Sequence, residues 1–530
     1  MLTKDAHTEI ARSATVVGAG TLLSRVFGLI RDAVIGMVFP AATSLDAFFV
    51  AFGIPNLLRR LFGEGALNNA FVPVFSDYLA NKPKDEAFRL ARIVLTALLI
   101  VLTAICAVAM LFAPWIVKLQ VLGWTGGQEL GPEKVELTTR LLRIMLPYMI
   151  LICLTAVAAA ALNSMRHFAA GAFHPVLLNV SLIASALFLA SGFREPAIAL
   201  AVGVLIGGVL QLLLQVPPLW RRGFRFKPAI DVHNPGLKKV MALMLPATVG
   251  FGVVEINALV DRLIASFLPH GSVTYLYYAN RLVQLPLALF GITVAVPLLP
   301  KLSTLHAQGD GEGFKSTFAL GMRLIVFFTL PSSVGLILLR EPIVNLLFER
   351  GEFTSTTTDA VAFALLYYSV GLFAFAATKL AATVFYSRKD ARTPVIIASI
   401  ALVANVVLNI ILMQFLAHAG LALASSISSL INFVLLVYLA GKRGVVAVEK
   451  SDWASMVKSI AATALMALVC LLLLGSVGYD PSASFAVKLG QLAVTLLGSL
   501  ATFILASRLL KCDELSLFLT SFKRRLRPSR

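Results

Sequence analysis

Apolar residues in this chain fall into long runs separated by short polar connections. Fourteen runs can be delimited, near 14–38, 45–79, 93–117, 138–162, 174–192, 196–218, 240–268, 273–300, 316–339, 360–386, 393–416, 419–440, 454–478 and 484–507. A helix crosses a bilayer in about 20 apolar residues, so each run predicts a transmembrane helix. No connection is long enough to form a separate extramembrane domain. The pattern predicts an all-α polytopic membrane protein with 14 transmembrane helices.

Composition supports this reading and excludes the alternatives. Of 530 residues, 58% are apolar and 14% charged, against about 45–50% and 25% in soluble proteins. A soluble globule could not hide that much apolar surface, and a disordered chain would be rich in charge. Residues 1–14 are polar and lack a short apolar core with a small-residue cleavage site, so the first run is expected to remain as a span rather than be removed.

The formal charge of +18 would suggest nucleic acid in a soluble protein. Here the basic residues sit in small clusters in alternate connections, which points to membrane topology and to no nucleic-acid partner. One side collects Lys82, Lys84, Arg89, Arg92, Arg166, Arg221, Arg222, Arg225, Lys227, Arg388, Lys389, Arg392, Lys442 and Arg443. The opposite connections Phe39–Ser44, Pro269–Ser272 and Ser476–Ser482 hold no Lys or Arg; the few basic residues on that side, Lys134, Arg194, Arg340 and Arg350, mostly sit beside Glu. Basic connections stay cytoplasmic, so both termini are expected in the cytoplasm.

The sequence also echoes itself. Leu29-Ile-Arg-Asp with Pro40 and Pro73-Val-Phe-Ser76 recurs as Leu259-Val-Asp-Arg with Pro269 and Pro300-Lys-Leu-Ser303, at offsets of 227 to 230. A weaker echo links Asn163-Ser-Met-Arg166 to Tyr386-Ser-Arg-Lys389. Six spans therefore repeat as six, in the same orientation. The predicted organisation is an N-lobe at 1–222, a C-lobe at 223–441, and two extra spans with a basic cytoplasmic tail at 442–530. Paired lobes related in this way are a transporter architecture.

A charge at mid-helix in hydrocarbon costs about 2.5–3.5 kcal/mol, so charges far from span ends carry the chemistry. They gather in the opening helix pair of each lobe: Arg25, Arg31, Asp32, Asp46, Arg59, Arg60 and Glu64, then Glu255, Asp261, Arg262 and Arg281, with Lys379 in the tenth run. Some have a structural reading. Arg25 and Asp32 share a helix face, as do Arg60 and Glu64, and Arg60, Arg262 and Lys379 can snorkel to headgroups. Arg31, Arg59 and Arg281 lie deep in their runs, with no single nearby carboxylate to balance all three. A guanidinium stays charged at any biological pH and grips phosphate bidentately, so these three predict an anion site between the lobes, suited to a phosphate or diphosphate.

Asp261 with Asn405 and Asn409 offers oxygen ligands of the kind that suit a hard cation such as sodium; interhelical hydrogen bonding is the structural alternative. The four cysteines show no metal or disulfide spacing and are expected to be buried hydrophobes. Walker A, GxSxG and HExxH patterns are absent. The chain is therefore expected not to be an enzyme, to need no cofactor or metal, and to draw energy from the membrane potential or an ion gradient.

Several segments resemble the MurJ (MviN) family of the multidrug/oligosaccharidyl-lipid/polysaccharide exporter superfamily. They are Ser24-Arg-Val-Phe-Gly-Leu-Ile-Arg-Asp32, Asp46-Ala-Phe-Phe-Val-Ala-Phe52, Pro55-Asn-Leu-Leu-Arg-Arg60, Glu64-Gly-Ala66, Ala70-Phe-Val-Pro73, Tyr277-Tyr-Ala-Asn-Arg-Leu282 and Phe385-Tyr-Ser-Arg-Lys-Asp390. The resemblance implies a flippase for lipid II, the undecaprenyl-diphosphate-linked peptidoglycan precursor, in the bacterial inner membrane. Its implied partners are lipid II, membrane lipids and the cell-wall synthesis machinery. It also implies that Arg31, Arg59 and Arg281 engage the diphosphate, that Arg25, Asp32 and Asp46 serve the cavity or its gating, and that the last two spans hold the prenyl tail. Asn280 and Gln284 depart from the acidic residues many relatives carry, so the cavity here should be more positive. The alternatives are a flippase for another prenyl-diphosphate glycan, such as an O-antigen unit, and a cation-coupled drug exporter, which would prefer acidic cavity residues.

Overall fold

The computed structural model describes residues 4–60, 67–125, 131–447, 449–517 and 520. Among the described residues every regular element is helical, and ten helices are long and apolar enough to cross a membrane. Large apolar side chains face outward from them: Phe415 is 80% exposed, Phe188 77% and Leu111 72%. In water such a surface would drive association; hydrocarbon is its natural solvent. All four cysteines are free and buried.

Proline shapes the opening of each echoed helix pair. Pro40 follows the first helix, Lys4–Val38, and a π-helical turn, Ala41–Leu45, leads into Asp46–Leu58. The run 273–300 is divided into Ser272–Pro286, a π-helical segment Leu287–Ile292, and Thr293–Gln308. Pro286 has no N–H to give to the preceding turn, and a widened turn beside it is a common way for a helix to absorb the break.

The runs 393–416 and 419–440 form one continuous helical stretch, Arg392–Lys442, broken at Ala417 (φ 47°, ψ −129°). Arg443 donates to Asp390 at 2.8 Å, and Asn405 Nδ2 to Ser428 Oγ at 3.4 Å. Both pairs straddle Ala417 symmetrically, which requires two antiparallel arms. The weaker echo is visible in the backbone. Arg166 (φ 58°) and Lys389 (φ 62°) are both left-handed, and each closes the same turn: His167 N–H donates to the Leu162 carbonyl at 2.8 Å, and Asp390 N–H to that of Phe385 at 3.0 Å. This is the Schellman closure of a helix end. A left-handed non-glycine residue costs about 1–2 kcal/mol, so its presence at both echoed positions reflects a shared local fold.

By contacts the chain divides into two compact units, Met1–Thr274 with Arg350–Phe353, and Tyr275–Glu349 with Thr354–Arg530. The contact boundary follows the seventh run because the Pro235–Ala265 helix packs on Leu67–Asn81 within the first unit. Residues 350–353 join that unit because Glu352 N–H donates to the Met37 carbonyl at 3.0 Å. Gly351 sits there at φ 58°, with its α-carbon against the same carbonyl, so any side chain would collide.

In the second unit the helices Lys450–Val477 and Phe485–Leu509 pack together, and the first of them packs on Gly311–Leu338. Phe327, Met466 and Phe503 fill the seam. An ion cluster that the sequence did not single out closes one end. Arg323 donates to Glu514 at 2.6 Å, to Asp513 at 3.3 Å and to Asp452 at 3.5 Å, while the Ser455 hydroxyl also donates to Glu514.

Asp390 gives a stability prediction. Its carboxylate accepts from the Thr393 hydroxyl and backbone N–H and from Arg443, which hold its pKa down to about 2 from an ordinary 3.8. A depressed carboxylate stabilises the folded state above the unfolded pKa and loses that contribution as pH falls toward the folded one. The thermal midpoint of Asp390→Ala in detergent should lie below that of the parent by a constant margin from pH 8 to 5. The margin should narrow between about pH 4 and 2.

Candidate functional site

The most completely satisfied buried charge in the first unit is Asp46, at the start of the Asp46–Leu58 helix. It is 1% exposed. One carboxylate oxygen accepts from Lys134 Nζ and the Gly271 N–H, each at 2.7 Å. The other accepts from the Thr274 hydroxyl at 2.7 Å and the Thr274 N–H at 2.9 Å. Lys134 is itself buried, stands 4.1 Å from the centre of the Trp124 ring and lies 3.1 Å from His270 Nδ1. Burial, and then the Lys134 ammonium, push the His270 pKa below the usual imidazole range. The imidazole is therefore neutral at pH 7 and can accept from Lys134.

Asp46 thus ties its helix to the Pro269–Thr274 turn, on the side poor in Lys and Arg. The sequence pointed to Asp46 but not to Lys134, which is 88 residues away and read only as a scattered loop charge. Its flanking acids, Glu133 and Glu136, gave it nearer apparent partners in the sequence.

Arg31 is buried, and its Nε donates to the Asp32 carboxylate at 2.9 Å. Nη2 donates to the same oxygen, and Nη1 to Asn179 Oδ1 at 3.1 Å. Asn179 is fixed in turn by donating to the Ser24 carbonyl at 3.0 Å. The carboxylate read from the sequence as a partner for Arg25 therefore serves Arg31, and Arg25 is exposed. Arg59 follows the end of the Asp46–Leu58 helix and is half-buried, with Nε and Nη2 donating to Asn56 Oδ1 at 3.0 and 2.9 Å. Asn56 orients the guanidinium without adding a charge. Arg60 is exposed and donates to Glu255 at 3.2 Å; the alternative partner Glu64 lies outside the described residues. Asp261 is half-buried in the same unit.

The second unit holds the other predicted residues. Arg281 and Asn280 are half-buried on Ser272–Pro286, and Gln284 is exposed on the same helix. Asn405 and Asn409 are buried one turn apart, and Asn409 Nδ2 donates to Asn405 Oδ1 at 3.0 Å. Arg31, Arg59 and Asp261 thus belong to one compact unit, and Arg281, Asn405 and Asn409 to the other.

A family model described as "Lipid II flippase MurJ" matches residues 35–490. The chain belongs to the MurJ lipid II flippase family. A curated relative from Vibrio cholerae, "Probable lipid II flippase MurJ", is 40% identical over 436 residues, covering 81% of this chain and 82% of its own. "Lipid II flippase MurJ" of Burkholderia cenocepacia is 36% identical, with 82% and 84% covered. Among solved structures, "Lipid II flippase MurJ, inward closed conformation" superposes with a TM-score of 0.76 at 27% identity, covering 93% of this chain and 99% of that one. An inward-facing multidrug resistance MATE transporter of the MOP superfamily superposes at 0.65 with 16% identity over 81% of this chain and 98% of its own, a likeness of fold alone. The matched range includes Arg59 and Arg281 and begins after Arg31.

Removing one partner of a buried ion pair costs about 3–5 kcal/mol, whereas replacing both can be close to neutral. Asp46→Asn and Lys134→Met should each lower the thermal midpoint strongly. The double variant should recover part of the loss, as measured by melting in detergent.

Proposed function

We propose that this protein moves lipid II from the cytoplasmic to the periplasmic leaflet of the bacterial inner membrane by alternating access. The observation that carries the reading is family membership across residues 35–490; the buried Arg31 and the half-buried Arg59 and Arg281 support it chemically. Lipid II is a prenyl tail joined through a diphosphate to a large polar headgroup. The tail is at home in hydrocarbon and the headgroup is not. The protein need only offer the headgroup a wet, cationic chamber that opens to one face at a time, while the last two spans guide the tail.

In this reading Arg31, Arg59 and Arg281 grip the diphosphate. Apolar walls strengthen the attraction relative to water, and the guanidinium fork matches two phosphate oxygens at once. Arg59 is held by the Asn56 amide on its own helix. Arg31 shares its fork with Asp32, so a bound diphosphate competes with that carboxylate, and the same competition eases release. Arg25 lines the approach. Asp46 gates the periplasmic side: three of its four hydrogen bonds hold the turn before Tyr275, where the chain passes from one compact unit to the next.

The two lobes at 1–222 and 223–441 rock against each other, with 442–530 as the tail-binding addition. No covalent step is required and no cofactor takes part. Energy comes from the membrane potential or from a cation held by Asp261, Asn405 and Asn409. Both termini lie in the cytoplasm, and the cell-wall synthesis machinery takes up the delivered precursor.

The test is leaflet-resolved detection of lipid II in cells depleted of this protein. Lipid II should accumulate on the cytoplasmic face, with rescue by the parent gene and by an unrelated lipid II flippase. Arg59→Ala and Arg281→Ala, expressed at parental levels, should fail to rescue. Full rescue by both would remove them from the site, and unchanged lipid II distribution on depletion would overturn the function.

A further inference from the structure

One arginine in the first unit remains unexplained. Arg262 lies three residues before the end of the Pro235–Ala265 helix, where a snorkelling side chain would turn out to the headgroups. It faces the Asp46–Leu58 helix instead. Its guanidinium is laid against the backbone of Gly53: a β-carbon there would collide with Nη1 and come within 2.6 Å of Cζ. Nη1 is shut off from solvent and has no hydrogen-bond partner among the described residues.

A buried donor on a cation left unsatisfied costs several kcal/mol. The nearest balancing carboxylate on its own helix, Glu255, already accepts from Arg60. Asp261 is the adjacent residue, but Nη1 donates to neither carboxylate.

The placement suggests a use. Gly53 lies roughly 10 Å along the helix axis from Asp46, and Arg59 roughly 9 Å beyond Gly53, at 1.5 Å per residue. The Arg262 guanidinium therefore occupies the level between the proposed grip and the Asp46 turn, on the same helix. We propose that Arg262 is a further diphosphate-binding residue, which takes the anion from Arg59 on its way to the Asp46 side, and that position 53 is glycine so that this guanidinium can lie there. The inference rests on the lipid II reading and adds a second cationic step to it.

The test uses the purified full-length protein in lipid nanodiscs, with undecaprenyl diphosphate and undecaprenyl phosphate as probes and Arg59→Ala alongside. A charge-assisted hydrogen bond contributes about 1.5–3 kcal/mol, so Arg262→Gln should weaken diphosphate binding about tenfold or more. The single phosphate should lose much less. Arg262→Lys, which keeps the charge without the fork, should fall between. Gly53→Ala displaces the guanidinium while retaining the charge; it should weaken diphosphate binding in the parent and add no further loss to Arg262→Gln.

A purely structural arginine would not separate diphosphate from single-phosphate binding, and Gly53→Ala alone, which keeps the arginine, stands in for Arg262→Gln should that variant misfold. If Arg262→Gln and Gly53→Ala bind diphosphate like the parent while Arg59→Ala does not, the second step is wrong and the lipid II grip stands. If all three bind normally, both fall. Loss in Arg262→Gln with normal binding in Arg59→Ala keeps Arg262 as a binding residue and removes Arg59.

Discussion

A charge placed in hydrocarbon must find a partner, and most of this structure follows from how each buried charge does so. Asp46 meets Lys134 and two backbone amides; Arg31 meets Asp32 and Asn179; Arg323 gathers Glu514, Asp513 and Asp452. Except for Arg31 with Asp32, these ties join helices far apart in sequence, so they fix packing that apolar contacts alone would leave free to slide. Against this background Arg262, whose dry Nη1 has no hydrogen-bond partner among the described residues, stands out as a cation arranged for something other than holding helices together. A carrier of a diphosphate needs such a group, since arginines already spent on carboxylates have less to offer an arriving anion.

The architecture was largely legible in the sequence because hydropathy is a local property. The apolar runs mark where helices form, and the gap between the runs 393–416 and 419–440 anticipated the reversal at Ala417. The echo of Arg166 in Lys389 was visible as letters before it was visible as a shared left-handed turn. The form of a proline break was not legible: Pro286 lies inside one apolar run, and the π-helical segment at Leu287–Ile292 depends on how neighbouring helices accept the bend.

Pairing was much less legible. Charge spacing along a helix put Asp32 with Arg25, because residues seven apart share a face; the long Arg31 side chain instead folds back onto its neighbour and is held there by Asn179, 148 residues away. Lys134 and Glu514 were overlooked for the same reason: their partners, Asp46 and Arg323, are distant in sequence, and only tertiary packing brings them within 3 Å. The contact boundary at Thr274 likewise differs from a division by sequence echo, because the seventh run packs against helices of the opening segment. Fold and membership of the MurJ family speak to the substrate, whereas the likeness to multidrug transporters at 16% identity speaks only to the shape that such carriers share. What separates an anion carrier from a drug exporter on one architecture is the sign of the charge left available inside it.

The most direct measurement of that charge logic is transbilayer movement in vesicles containing the purified protein. Two lipids would be compared, differing only in the linkage between prenyl tail and glycopeptide: the natural diphosphate and a single phosphate. Arginine forks that grip the diphosphate predict that the single-phosphate lipid moves about tenfold more slowly or worse, and that the difference shrinks in Arg59→Ala. Equal movement of the two lipids in the parent protein would contradict it.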